Sequence, residues 1–116
     1  MDSQELIIYE PLREEFMGRG SQRGWRFRML RRDGLYAMYV KKNDVEGRHE
    51  GKSMEVYEVI KIRLSKGRKA IIAGVEREFK SCEVYPSDEE FGSYGWCYVR
   101  ECDALARYEA LVGEKS

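Results

Sequence analysis

The stretch WRFRMLRRDGLYAMYVK, Trp25 to Lys41, decides the fold, because two alternating runs flank a turn dipeptide. Trp25, Phe27 and Met29 fall on one side and Arg26 and Arg28 on the other, the period of two that marks a half-buried strand. Asp33-Gly34 supplies a two-residue turn whose backbone needs positive φ, and Leu35 to Lys41 reads as the return strand. A β-hairpin is expected here.

Downstream, Lys42 to Ser53 is polar, holds two glycines and is long for a hairpin connection, so a mobile loop is expected. Met54 to Leu64 alternates as a strand, with Met54, Val56, Glu58, Ile60, Ile62 and Leu64 on one face; Glu58 interrupts that apolar face. Ser65 to Gly67 reads as a turn and Lys69 to Ala73 as a strand that Gly74 breaks, with Glu78 to Tyr85 as its antiparallel continuation or partner. In VYPSDEEFGSYGWCY, Val84 to Tyr98, Pro86 ends an extended run and Ser87 with Glu90 matches a capping box for one helical turn. Gly92 and Gly95 then precede the aromatic strand Trp96 to Val99. Asp103 is positioned to cap a helix over Ala104 to Val112, with Leu105, Tyr108, Leu111 and Val112 on one face and Gly113 just past its end.

Upstream of the hairpin, Leu6 to Tyr9 reads as an edge strand closed by Pro11, and Leu12 to Met17 as one helical turn. Gly18 to Gly24, GRGSQRG, has no apolar residue and reads as an exposed flexible loop. Together these segments predict one α+β domain over residues 1–116: an antiparallel sheet of five or six strands with one C-terminal helix packed on one face.

Composition narrows the function. The chain of 116 residues has the usual size of a single domain, and 12% aromatic content is too high for a disordered one. No apolar run approaches the roughly 18 to 20 residues that span a bilayer, so a cytoplasmic protein without a membrane contact is expected. Cys82, Cys97 and Cys102 match neither a zinc ribbon nor a redox pair, and reduced thiols fit them; Cys97, on an aromatic strand, reads as a core residue. His49 is the one histidine, and its neighbours Asp44, Glu46 and Glu50 follow no calcium or zinc spacing, so no metal and no cofactor is expected. With no nucleophile elbow and no histidine pair, a non-enzymatic binding protein is the reading.

Two surfaces offer themselves for binding. Asp88, Glu89 and Tyr94 present an acidic, aromatic-rimmed knuckle suited to a protein partner, while Phe91 and Trp96 belong to the core. The alternative is a nucleic-acid face built from Arg19, Arg23, Arg26 and Arg28, with Lys61 and Arg63 on a following strand and Tyr36 or Tyr57 for stacking. Charged residues also blunt the solvent face of any sheet, and a zero net charge weighs against a dedicated nucleic-acid binder. The charge is uneven along the chain. Met1 to Ala70 holds 16 Lys/Arg against 11 Asp/Glu, and Ile71 to Ser116 holds 5 against 10.

MEVYEVIKIR (Met54 to Arg63), EVYPSDEEFGSYGWCY (Glu83 to Tyr98) and DALARYEAL (Asp103 to Leu111) resemble, in order and spacing, a group of small phage and prophage proteins of gut Bacteroidetes. The resemblance covers the last 60 residues or so and leaves out the arginine-rich N-terminal third. It implies a setting and no activity: an accessory protein of a phage or mobile element, acting on a host or phage macromolecule.

Overall fold

The computed structural model describes residues 8–43 and 54–114. In chain order the elements are β1 (Glu15–Met17), β2 (Trp25–Asp33), β3 (Tyr36–Asn43), β4 (Met54–Lys61), β5 (Arg63–Ser65), β6 (Arg68–Ile72), β7 (Val75–Phe79), β8 (Cys82–Val84), β9 (Gly95–Tyr98) and α1 (Glu101–Glu114). The fold is α+β. Five antiparallel strands in the order β1-β2-β3-β4-β9 form the main sheet, and α1 packs on β3, β4 and β9. Two small ladders, β5-β8 and β6-β7, stand apart from it.

The hairpin forms, one residue out of the expected frame. Asp33 pairs with Tyr36, so the turn is Gly34-Leu35, and only Gly34 takes positive φ (60°). Glycine at the first central position is the pattern of a type II′ turn, whose twist matches the strands it joins. At Leu30 the β2–β3 register slips by one residue. Leu30 lies on the helix side of the sheet by plain alternation, and the bulge turns Arg31 to the same side, beside Met38, and Arg32 to the opposite side, beside Ala37.

Both sheet faces are covered, a departure from the expected single covered face. On one, Met38 and Val59 meet Ala104, Tyr108 and Leu111 of α1, flanked by Tyr36, Tyr57 and Trp96. On the other, Phe27, Ala37, Tyr39, Ile60 and Ile62 are sealed by Phe16 of β1 and by Leu12, Tyr85 and Phe91 from segments with little regular structure. Phe16 stacks on Phe27 (4.7 Å between centroids) and Tyr85 meets Phe16, Phe27 and Tyr39 edge-on at 5.2–5.6 Å. That stacking explains a correction: Leu12 to Met17 holds no helical turn, because pairing as β1 buries Phe16 against Phe27 and satisfies the backbone in the ladder.

Other boundaries shift for related reasons. The strand read over Met54 to Leu64 is two, because Ile62 leaves the ladder to donate its N–H to the Leu35 carbonyl (2.6 Å), after which β5 turns to pair with β8. The strand read over Glu78 to Tyr85 is likewise split between β7 and β8. The helix begins at Glu101, with Glu101 and Asp103 in its first turn, and it includes Gly113; Asp103 is not its cap. The Ser87–Glu90 capping box closes a single 3-10 turn, as expected. Gly18 to Gly24 is not a free loop: Gly20–Gln22 form a 3-10 turn, and the Gly18 N–H bonds the Trp25 carbonyl (2.8 Å). Cys97, expected in the core, is exposed on the edge strand β9. The loop Lys42 to Ser53 lies outside the described residues beyond Asn43, His49 and its acidic neighbours included, and so do Leu6 and Ile7 of the strand read over Leu6 to Tyr9, whose described residues Ile8 and Tyr9 are not in a strand.

Candidate functional site

β6 and β7 form a two-stranded arm that belongs to neither core cluster. The chain makes this hairpin with Ala73-Gly74 as a two-residue turn, both residues at positive φ (52° and 79°), the type I′ requirement met with a strained alanine at its first position. At its base, Gly67 lies so close to β7 that an added Cβ would sit 2.4 Å from the Phe79 carbonyl oxygen. Every strand residue of the arm except Ala70 is exposed, including Ile71, Ile72, Val75 and Phe79, with Ile71 at 77%. From Lys66 to Lys80 there are five lysines and arginines against two glutamates, a net +3 on a chain of net zero. Sequence reading found the first of these strands, began the second only at Glu78, and did not reach their isolation, which depends on what the rest of the chain leaves uncovered.

Asp88, Glu89 and Tyr94 of the knuckle are exposed, as expected, but Asp88 and Tyr94 are engaged by other parts of the chain. Ser21 donates its hydroxyl to Asp88, and Gln22 Nε2 donates to the same carboxylate at 3.5 Å, so Asp88 ties the knuckle to the 3-10 turn across a cleft. Tyr94 carries the Arg63 guanidinium over its ring at 4.1 Å, and Arg63 pairs with Glu90 at 3.0 Å. Glu90 also accepts the Ser87 N–H, which leads the causes that hold its carboxyl below the usual range. Glu89 stays exposed. Phe91 and Trp96 pack on opposite faces of the sheet, Phe91 close against Gly95 and Trp96 beneath Arg107 at 5.0 Å.

The residues read as a nucleic-acid face are not one surface. Arg26 and Arg28 lie beside Lys42 and Val40, whereas Lys61 lies beside Tyr36 at the far end of β4, near Trp96 (5.9 Å). Arg63 belongs to the knuckle, Arg19 and Arg23 flank the 3-10 turn, and Tyr36 and Tyr57 are packed beneath the helix. The structure therefore joins Arg63 to Tyr94, from the two different surfaces, and separates Arg63 from Arg26 and Arg28.

Sequence reading missed a buried polar cluster. Glu58 accepts from Lys41 Nζ (2.9 Å) and from the Tyr85 hydroxyl (2.7 Å), while Lys41 also donates to Gln22 Oε1 (2.7 Å) and lies over the Trp25 ring (4.7 Å). Burial, then the Glu58 charge, pushes the Tyr85 phenol well up, so it stays a donor at any ordinary pH. Nearby, Glu83 grips both guanidinium nitrogens of Arg32 (2.6 and 2.5 Å) and accepts the Leu12 N–H (2.8 Å). Glu58 and Glu83 both reach the wall of a cleft of about 1030 Å³ between the 3-10 turn and the knuckle. Each carboxylate is fully engaged within the protein, which makes them fasteners of the cleft walls. The signal was Glu58 itself, an acid on an apolar strand face, which predicts a buried partner.

Among the described residues no group of three or more histidine, cysteine or acidic side chains is arranged to hold a metal, and no helix is long and apolar enough to cross a membrane. Compared with family models, curated proteins and solved structures, the chain matches none.

Proposed function

We propose that this protein is a binding module without catalytic chemistry, and that the β6–β7 arm is the element that holds a macromolecular partner. The observation carrying this reading is the exposure of Ile71, Ile72, Val75 and Phe79 on an arm outside both cores. A lone two-stranded hairpin is marginal in water and contributes little to a fold, so its apolar side chains gain burial only against another molecule. A phage or mobile-element setting belongs to this proposal on the strength of the C-terminal resemblance. So does a reducing cytoplasm, which would keep Cys82, Cys97 and Cys102 as the free thiols they are in the structure.

The test has two parts. Replacing residues 68–79 by a short Gly-Ser link should leave the unfolding midpoint within about 2 °C, since a loss of 1 kcal/mol moves it by roughly 4 to 8 °C in a domain of this size. A photoreactive benzoylphenylalanine at Ile72 should crosslink a macromolecule in cells on irradiation, and the same group at Ala110 on the helix should not. A midpoint that collapses without the arm, or no adduct from position 72, removes the reading.

A further inference from the structure

We infer that the partner on the arm is a nucleic-acid duplex, seated against one face of the ribbon; this rests on the reading of the arm as the docking element. The β6–β7 register sorts the arm's side chains by face. Arg68 and Phe79, Ala70 and Arg77, and Ile72 and Val75 are cross-strand partners on one face; Lys69 and Glu78, and Ile71 and Glu76, share the other. Both acids are thus on the second face. The first carries two arginines and no acid, with Lys66 and Lys80 flanking its base. Among the described residues none of Lys66, Arg68, Lys69, Arg77 and Lys80 is in an ion pair.

Charge then selects the partner and the pose. Everything outside Lys66 to Lys80 sums to −3, so a polyanion is repelled by the body and drawn to the arm. Size agrees. Two strands about 4.8 Å apart make a ribbon that enters a major groove about 12 Å wide. Arg68 and Arg77 would then reach phosphates or guanine edges, and Ile72 and Val75, at the tip, would meet thymine methyls. A single strand fits less well, because such strands are held on successive aromatic platforms. Here Phe79 is the one aromatic residue, and the Arg68 guanidinium already lies over it at 5.6 Å. A protein partner could use the same arginines and apolar residues, but a face free of acids with Lys66 and Lys80 at its base favours a polyanion over a surface of mixed charge.

The test is fluorescence anisotropy of the full chain with a labelled 20-base-pair duplex and the matching single strand, from 50 to 200 mM salt. The duplex should bind more tightly than the single strand. Its log affinity should fall with log salt at a slope of about −3 to −4, as four phosphate contacts require. An Arg68→Gln, Arg77→Gln variant, checked for folding by circular dichroism, should lose at least tenfold at the lowest salt and lower the slope by about two. Arg26→Gln with Arg28→Gln should change neither. No duplex binding at 50 mM salt, a preference for the single strand, or loss in the Arg26, Arg28 variant in place of the arm variant overturns the inference. An adduct from position 72 that is protein, resistant to nuclease, overturns it while sustaining the arm as the docking element; no adduct at all overturns both.

Discussion

Lys41 and Glu58 bring opposite charges into the same sheet face, each with a side chain less than a tenth exposed. Two charges out of water cost several kcal/mol apiece, and here the cost is offset by a direct ion pair, the Tyr85 hydroxyl and the Gln22 amide oxygen. Lys41→Met should therefore cost about 3 to 5 kcal/mol in chemical denaturation by leaving Glu58 uncompensated, whereas Lys41→Met with Glu58→Leu should recover most of that loss. Glu83 gives a pH prediction. Its hydrogen bonds from Arg32, first among the causes, hold its carboxyl below the usual carboxylate range. A depressed folded pKa means stability that is complete above the unfolded value, near pH 4.3, and is lost as pH falls through the lower folded one. Denaturation midpoints should drop below about pH 4.5 in the parent, and Glu83→Gln should flatten that part of the curve.

At the scale of elements, the helix and the arm sit at opposite ends of stability. Leu111 is buried against the sheet, so Leu111→Ala should cost about 2 to 5 kcal/mol. Ala73, at φ 52°, sits in a conformation that costs an L-residue roughly 1 to 2 kcal/mol, so Ala73→Gly should slow amide exchange in β6 and β7 without moving the global midpoint. The knuckle is a joint with little slack. Gly95→Ala would drive a methyl to within 2.9 Å of the Phe91 ring, and it should destabilise by about 1 to 3 kcal/mol.

Taken whole, the molecule is extended. Its radius of gyration is 17.0 Å, against roughly 13 to 14 Å for a compact domain of this length, and its extents are 58 × 43 × 22 Å. Small-angle scattering should return the larger value for the parent and a clearly smaller one once residues 68–79 are replaced. The same shape sets the electrostatics: +3 on the arm and −3 on the remainder make a dipolar molecule, sensitive to salt in whatever it binds.

The sequence by itself determined what depends on neighbours in the chain. Alternation at Trp25 to Arg31 fixed a strand, the glycine after Asp33 fixed a turn to within one residue, and the spacing of Tyr108 and Leu111 fixed the helix face. Ser87 and Glu90 likewise announced their turn. What only the tertiary structure decided depends on residues distant in sequence. Arg63 has the same composition cues as Arg28, yet it lands on Tyr94 because β5 leaves the sheet. Asp88 reads as a free surface acid until Ser21 and Gln22 fold up to it. Phe79 and Ile72 read as ordinary strand residues. Their exposure follows from the absence of either core cluster on the arm, and no local pattern encodes which strands a sheet will leave uncovered.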